Sequence, residues 1–502
     1  MNTFQMPDNI KGLHIHFIGI KGTGMAALTE IFHARGAKIT GSDVSDIFYT
    51  DKVLESCGIK PLLFDSANIT NDISFIIYSS AYNSKTNCEL AQAEKLSIPC
   101  LLYSQALGQL SRHTFSCGVA GVHGKTTTTG LVGTVAKVLN IPVQVLAGSV
   151  ISSFGQSNEH GSCTISCGQD YFVAETCEYQ RHFMDFKPKK IILTSVESDH
   201  QDYYPTYDDI RTAFFDYCNL LPSKGDLIYC ADDAGASEVA SMIASQRSDI
   251  NLIPYGETAS GNWKVTIDLS QDGKQIFSLA GFGDFKFAIN VPGKHLVLNS
   301  TAAVALCCSL LCHQKKCNLE ESFSVEIASK ILKGLELFKG GKRRSEIIGR
   351  VSSVIFLDDY AHHPTAIRTT LEGYRNFYPG RKLIVDFMSH TYTRTASLLD
   401  DFAQSFDSAH QVILHKIYAS AREKPSEASV TGETLYNKTK LFHNNVCYYQ
   451  DFLDAENDLL TLLSKPDPEF PNGYVFVTMG AGDNWKLGRI LYEKMSKIGV
   501  SI

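Results

Sequence analysis

The segment Gly118 to Gly130 reads GVAGVHGKTTTTG, glycines followed by one lysine and four threonines. Those residue types suit a phosphate cradle. Gly118, Gly121 and Gly124 recur at every third residue, which lets the backbone turn tightly and point its N–H groups at an anion. Lys125 has the length to reach β- and γ-phosphates, and the Thr126 hydroxyl can ligate Mg2+. The spacing departs from the common G-x-x-x-x-G-K-[ST] pattern, whose first glycine would fall on Val119. Packing does not explain such a loop, because small polar residues bury little.

Downstream, two apolar runs end in acidic and imidazole groups. YFVAETCE supplies Glu175 and Glu178, and IILTSVESDHQD supplies Glu197, Asp199, His200 and Asp202. Open α/β sheets place ligands at such strand ends, and hard carboxylate oxygens suit Mg2+. The expected ligands are ATP and a divalent cation. If the phosphate acceptor is itself a carboxylate, the cation and Lys125 must offset about 4 kcal/mol for each like-charged pair at ~4 Å and an effective dielectric of ~20. A second glycine turn, HFIGIKGTGMAAL, places Gly19, Gly22 and Gly24 between a strand and a helix. Its order, G-x-x-G-x-G, is not the dinucleotide fingerprint G-x-G-x-x-G. Asp43 nevertheless follows the second strand, where a ribose-binding carboxylate would stand. These residues fit a nucleotide loop and also a plain tight turn.

The elements that must hold these groups read as α/β throughout. Short apolar runs alternate with helical patterns, the rhythm of parallel sheets wrapped by helices. With 502 residues the chain divides into about three domains, expected at 1–115, 116–337 and 338–502. A net charge of -7 and no basic tract argue against a nucleic-acid partner. HIHFIGI is too short to span a bilayer and has no cleavage site, so the expectation is a cytoplasmic protein without a membrane partner. The fourteen cysteines lack a framework spacing and read as reduced thiols. Cys307, Cys308, Cys312, His313 and Cys317 follow an apolar helical stretch, where small buried thiols are common.

Taken together these motifs resemble the Mur ligases, ATP-dependent enzymes that add amino acids to the peptidoglycan precursor, and the likeness covers nearly the whole chain. The family's loop, G-x-x-G-x-x-G-K-T, matches Gly118 to Thr126 in full. GIKGTGM, GSD, YSSA, DDYAHHPT, HTYTRT, YASARE and the closing GAGD are most similar to the members that join L-alanine to UDP-N-acetylmuramate. The resemblance implies a Rossmann-like N-terminal domain, a P-loop ATPase-like central domain and a Rossmann-like C-terminal domain. It implies an acyl-phosphate route with ADP and phosphate as products, in a monomer or weak homodimer. Gly19, Gly22, Gly24, Asp43 and Ser80 would hold the UDP-sugar. ATP would meet Gly121, Val122, His123, Gly124, Lys125, Thr126, Thr127, His295 and Asn299, with Arg344 and Asp359 completing the site on domain closure. Mg2+ or Mn2+ would be held by Thr126, Glu175 and His200, and catalysis would rest on Lys125, Glu175, His200, Arg344 and Asp359. His363, His390, Arg394 and Arg422 would face the substrate carboxylate and the incoming alanine.

The chain departs from the family pattern at Ser195, Leu296, Ser345, Met388 and Ser389, which touches the adenine contacts and local loop geometry. Many relatives carry a carbamylated lysine after the D-H motif, whereas residues 201–223 contain no lysine; no such modification is expected. Two other readings stay open at this point. One is the ligase that attaches a recycled tripeptide to the same nucleotide sugar, and the other is a non-catalytic nucleotide-sugar sensor.

Overall fold

The computed structural model describes residues 4–155, 161–268, 274–419 and 429–499. Strands form on the apolar runs and helices begin at the glycine and Asx turns between them. The N-terminal part contains β1 (His14–Ile18), α1 (Thr23–Ala34), β2 (Lys38–Asp43), α2 (Asp51–Ser56), β3 (Leu62–Leu63), β4 (Phe75–Tyr78), α3 (Cys88–Lys95), β5 (Cys100–Leu102) and α4 (Tyr103–Arg112). Its strands pair in parallel in the order β3-β2-β1-β4-β5. The chain leaves β1 toward both sides, so the Gly19 turn sits where strand order reverses, the usual crevice of a Rossmann-like sheet.

The central part runs through β6 (Phe115–Ala120), α5 (Lys125–Val138), β7 (Val143–Ile151), β8 (Ser162–Ser166), β9 (Tyr171–Glu175), β10 (Lys190–Leu193), α6 (Tyr207–Cys218), β11 (Asp226–Cys230), α7 (Ala234–Gln246) and β12 (Asn251–Tyr255). A small antiparallel sheet of β13 (Val265–Ile267), β14 (Gln275–Leu279) and β15 (Lys286–Ile289) follows, then α8 (Lys294–Lys315) and α9 (Val325–Leu337). The main sheet has the order β12-β11-β10-β6-β9-β7-β8. Within it only β8 is antiparallel to its neighbour. β6 lies between β10 and β9, which brings the turn after β6 beside the ends of both.

The C-terminal part comprises β16 (Glu346–Val351), β17 (Val354–Asp359), α10 (Pro364–Phe377), β18 (Lys382–Met388), α11 (Tyr392–Ser397), α12 (Leu399–Ala403), β19 (Gln411–Leu414), α13 (Gly432–Thr439), β20 (Val446–Tyr448), α14 (Glu456–Leu463), β21 (Tyr474–Gly480) and α15 (Trp485–Gly499). Its sheet runs β16-β17-β21-β18-β19-β20, parallel except for β16. The three domains are thus Rossmann-like, P-loop ATPase-like and Rossmann-like, as the family resemblance implies.

Burial divides the molecule unevenly. One continuous apolar core joins the N-terminal and central domains, whereas the C-terminal sheet has separate cores on its two faces. At the first junction α1 packs on β7 and β8, and Glu30 accepts bonds from Ser162 Oγ and Cys163 N. At the second junction polar contacts prevail. α8 is long and apolar enough to cross a membrane by length and composition, but 83% of its most apolar stretch is buried inside the protein. Cys307, Cys308 and Cys312 are free thiols on that helix, in the core.

Candidate active site

The turn after β6 requires glycine at two points. Gly121 has φ +135°, and a Cβ there would stand 2.0 Å from Thr194 Oγ1; Gly124 has φ +81°, and a Cβ would stand 2.6 Å from Asn299 Oδ1. Larger residues cannot enter either place without moving a neighbour. Ser195, a departure from the family pattern, supports the turn: its carbonyl accepts from Val122 N at 3.0 Å and its hydroxyl accepts from His123 N at 2.9 Å. Lys125 and Thr126 then open α5, at the positive end of its dipole. Thr127 continues that first turn and is buried with Thr126.

Lys125 Nζ lies 3.0 Å from Glu178 Oε1 and 2.9 Å from Oε2, and also donates to the Gly121 and Val122 carbonyls. Burial alone would raise the Glu178 carboxyl, but Lys125 and His200 outweigh it and hold the group below the ordinary carboxylate range. Burial would likewise lower the Lys125 ammonium, and Glu178 with Glu175 reverses that. His200 Nε2 stands 3.6 Å from Glu178 Oε1 and 3.7 Å from Asp199 Oδ2. The His200 backbone is left-handed at φ +53°, a conformation that costs a non-glycine residue about 1 kcal/mol or more. Its carbonyl accepts from Tyr203 N and Tyr204 N, which fixes the turn.

Glu175 is placed differently. Its Oε2 accepts from Gly148 N at 2.7 Å, while Glu178 is the carboxylate that meets both Lys125 and His200. The sequence shows both acids at the strand end, Glu175 as the last residue of β9 and Glu178 three residues on, and their spacing alone does not say which of them meets Lys125. Farther out, the Arg394 guanidinium donates to Asp199 Oδ1 through Nε at 3.2 Å and a terminal nitrogen at 2.7 Å. Burial would raise the Asp199 carboxyl, yet Arg394 and His200 hold it far below the usual range. Arg394, Asp199, His200, Glu178 and Lys125 therefore form a continuous row of alternating charge and imidazole from the C-terminal domain to the phosphate loop.

A cleft of about 220 Å3 opens beside this row between the central and C-terminal domains, lined by His123, Gly124, Thr126, Thr127, His295, Leu296, Asn299, Arg344 and Asp359 among others. His295 Nδ1 is buried without a hydrogen-bond partner, and burial pushes its pKa down to about 4. A neutral imidazole facing a cleft suits an uncharged ring. Asp359 accepts from Ser345 N at 2.6 Å and Ala361 N at 2.8 Å, so it shapes the wall; Ser345, another departure, also receives the Tyr374 hydroxyl. Arg344 stacks its guanidinium 5.2 Å from the Tyr360 ring centre.

His363 is drawn to the phosphate loop, its ring 4.9 Å from that of His123, with Glu197 beside both. His390 lies after β18 and pairs with Tyr418 through the backbone and its ring. The neighbouring Ser389 hydroxyl is bonded to Thr395, and Met388 packs against Gly482. Arg422 falls at residues 420–428, outside the described residues. In the N-terminal domain Gly19, Gly22 and Gly24 form the turn into α1, and Asp43 Oδ2 accepts from Lys21 N at 2.7 Å. Ser80 is exposed just past β4. The pairings Lys125–Glu178, Arg394–Asp199 and His363–Ser198 have no signature in the sequence, because each joins residues far apart in the chain.

Three family models match the chain: "Mur ligase family, catalytic domain" over residues 14–115, "Mur ligase middle domain" over 119–307 and "Mur ligase, glutamate ligase domain" over 343–482. The UDP-N-acetylmuramate–L-alanine ligase of Treponema pallidum is 47% identical over 489 residues, covering 97% of this chain and 98% of that protein. The enzyme of the same name from Borrelia garinii is 36% identical over 481 residues, covering 94% and 97%. Among solved structures, UDP-N-acetylmuramate-alanine ligase of Thermotoga maritima superposes with a TM-score of 0.73 at 23% identity, covering 97% of this chain and 100% of that one. The same architecture, the same loop spacing and relatives matched end to end lead to one assignment: the chain belongs to the Mur ligase family.

Proposed function

We propose that this enzyme joins L-alanine to UDP-N-acetylmuramate at the expense of ATP, through an acyl phosphate. Its class is that of an ATP-dependent ligase forming a C–N bond, in peptidoglycan precursor synthesis. The observation that carries the mechanism is the row Arg394–Asp199–His200–Glu178–Lys125, which links a phosphate loop to a cation on the opposite domain. Lys125 is held ready by Glu178; nucleotide phosphates compete for its ammonium and release the Glu178 carboxylate. For Mg2+ we take Glu178 in place of the expected Glu175 as the carboxylate beside Thr126 and His200, because Glu178 meets Lys125 and His200 while Glu175 is bonded to Gly148 N. When bound, the cation neutralises phosphate charge as the muramate carboxylate approaches. The protein itself positions: Lys125 and the loop amides steady the transferring phosphoryl group, and Arg394 marks the side from which the substrate carboxylate comes.

The first-domain turn of Gly19, Gly22 and Gly24, with Asp43 and Ser80, is assigned to the UDP moiety. The cleft at His295, Leu296 and Asn299 is assigned to adenine, with Arg344 and Asp359 closing it. His363, His390 and Arg422 remain assigned to the substrate side. The domain limits 1–115, 116–337 and 338–502, cytoplasmic location and a monomer or weak homodimer complete the reading. Phosphate release with ATP, Mg2+ and UDP-N-acetylmuramate, with L-alanine, glycine, L-serine or the tripeptide in separate reactions, tests it. Release dependent on L-alanine is the expected result; release with the tripeptide alone would reassign the acceptor, and none with any acceptor would favour a sensor.

A further inference from the structure

We propose that His123, Glu197 and His363 form a site for one transition-metal ion of the Zn2+ type, tying the phosphate loop to the first turn of α10. His123 Nε2 and His363 Nδ1 stand 3.5 Å and 3.6 Å from the same Glu197 oxygen, Oε2, and the three atoms lie within 4.8 Å of one another. Tetrahedral zinc, with bonds of about 2.0–2.2 Å, requires ligand atoms roughly 3.3–3.6 Å apart. Two of the three separations already fit. The third, between the two imidazole nitrogens, is within 4.8 Å and has to shorten for tetrahedral ligation.

The placement of protons favours a cation over a hydrogen bond. His363 Nε2 faces the Ser198 carbonyl at 3.3 Å, which calls for a proton on that nitrogen, and Nδ1 faces the Thr365 N–H at 3.4 Å, which calls for a lone pair. The neutral ring therefore turns an unprotonated Nδ1 toward Glu197 Oε2, two lone pairs with no hydrogen between them. Nδ1 has one lone pair, so ligation requires the Thr365 N–H to give up its 3.4 Å cap contact, which lies beyond the usual hydrogen-bond range. His123 Nε2 is buried and makes no hydrogen bond. Thr365 Oγ1 donates to Glu197 Oε2 at 2.9 Å and orients the carboxylate, as an outer-sphere group does in metal sites.

Two imidazoles and one carboxylate select Zn2+ or Co2+ over Mg2+, which prefers oxygen. The site is separate from the Thr126, Glu178 and His200 set; it shares His123 and His363 with the proposed nucleotide and substrate contacts, so its test is run without either ligand. Its open side faces the interdomain cleft, leaving a fourth position for water or a phosphate oxygen. Because the ligands come from both domains, the ion ties the central domain to the C-terminal one.

Co2+ absorption and Zn2+ calorimetry on the full chain without nucleotide test the proposal, using wild type, His363→Asn, Glu197→Gln and Glu178→Gln. Asparagine keeps a capping acceptor for α10 while removing the ring nitrogen, and melting of the metal-free variants separates folding from ligation. The expected result is visible bands of a tetrahedral N/O site that saturate at one Co2+ per chain, distinct from any Co2+ taken by the Thr126, Glu178 and His200 set, and no sulfur-to-metal charge-transfer band. His363→Asn and Glu197→Gln should bind both ions at least about tenfold more weakly, and Glu178→Gln should bind as wild type does. Zn2+ should raise the unfolding midpoint of wild type but not of His363→Asn. Absence of Co2+ binding, a thiolate charge-transfer band that tracks binding, or wild-type affinity in both His363→Asn and Glu197→Gln would overturn it.

Discussion

The molecule holds two glycine turns of the same local design, Gly19–Gly24 after β1 and Gly121–Gly124 after β6. Each follows the central strand of a parallel sheet and opens a helix. The groups around them differ. In the first, Lys21 is turned away, its Nζ donating to the Val44 and Asp46 carbonyls, while the Asp43 carboxylate accepts from the Lys21 N–H. In the second, Lys125 points at Glu178 and a row of charge continues to Arg394. A glycine turn supplies an anion-sized hollow; the chemistry comes from what the adjacent strand ends bring to its rim. The first turn is thereby suited to binding and the second to transfer.

The strongest way to break this contrast is to remove each lysine. Lys125→Ala should lower kcat/KM for ATP-dependent phosphate release by about 10^3-fold or more, whereas Lys21→Ala should alter mainly the KM for the nucleotide sugar. Equal losses of kcat would erase the distinction. The two acids of the β9 end sharpen it further. Glu178→Gln should reduce kcat by about 10^2-fold or more and raise the Mg2+ concentration required, while Glu175→Gln, which keeps an acceptor for Gly148 N, should cost about tenfold or less. Steady-state kinetics against Mg2+ concentration gives the answer.

In the first turn, Asp43→Asn should raise the KM for UDP-N-acetylmuramate about tenfold, or ~1.4 kcal/mol, with kcat little changed. The smallest effect concerns the junction that carries the first turn. Burial pushes the Glu30 carboxyl up to about 7 from 4.5, with the Ser162 and Cys163 donors only partly opposing it. The folded state thus holds a proton that the unfolded state has released. Stability from this group is complete below the unfolded value and is lost as pH rises through the folded one. Glu30→Gln should flatten that slope, which denaturant midpoints from about pH 5 to about pH 8 would register.

Much of this was legible from residue order, and the reason is locality. The phosphate loop is a contiguous segment whose glycine spacing, lysine and threonines fix its conformation and its ligand together, and the strand ends at Glu175–Glu178 and Glu197–His200 follow from apolar runs. What residue order left open depends on pairings that only topology creates. Glu178 rather than Glu175 pairs with Lys125, a choice set by how the chain leaves β9 beside the phosphate loop. Ser195 replaces the usual residue of the family yet still holds the loop, since its hydroxyl meets His123 N. His363 meets His123 and Glu197, and Arg394 meets Asp199, because α10 and α11 dock across a domain boundary. None of these has a signature in spacing.

The central claim is that the phosphate held by the second turn activates a carboxylate. UDP-N-acetylmuramate labelled with 18O in its lactyl carboxylate, turned over with ATP and L-alanine, tests it directly through the mass of the released phosphate. The account predicts that one carboxylate oxygen is delivered to inorganic phosphate in each turnover; phosphate released without label, the displaced carboxylate oxygen appearing in water instead, would contradict it.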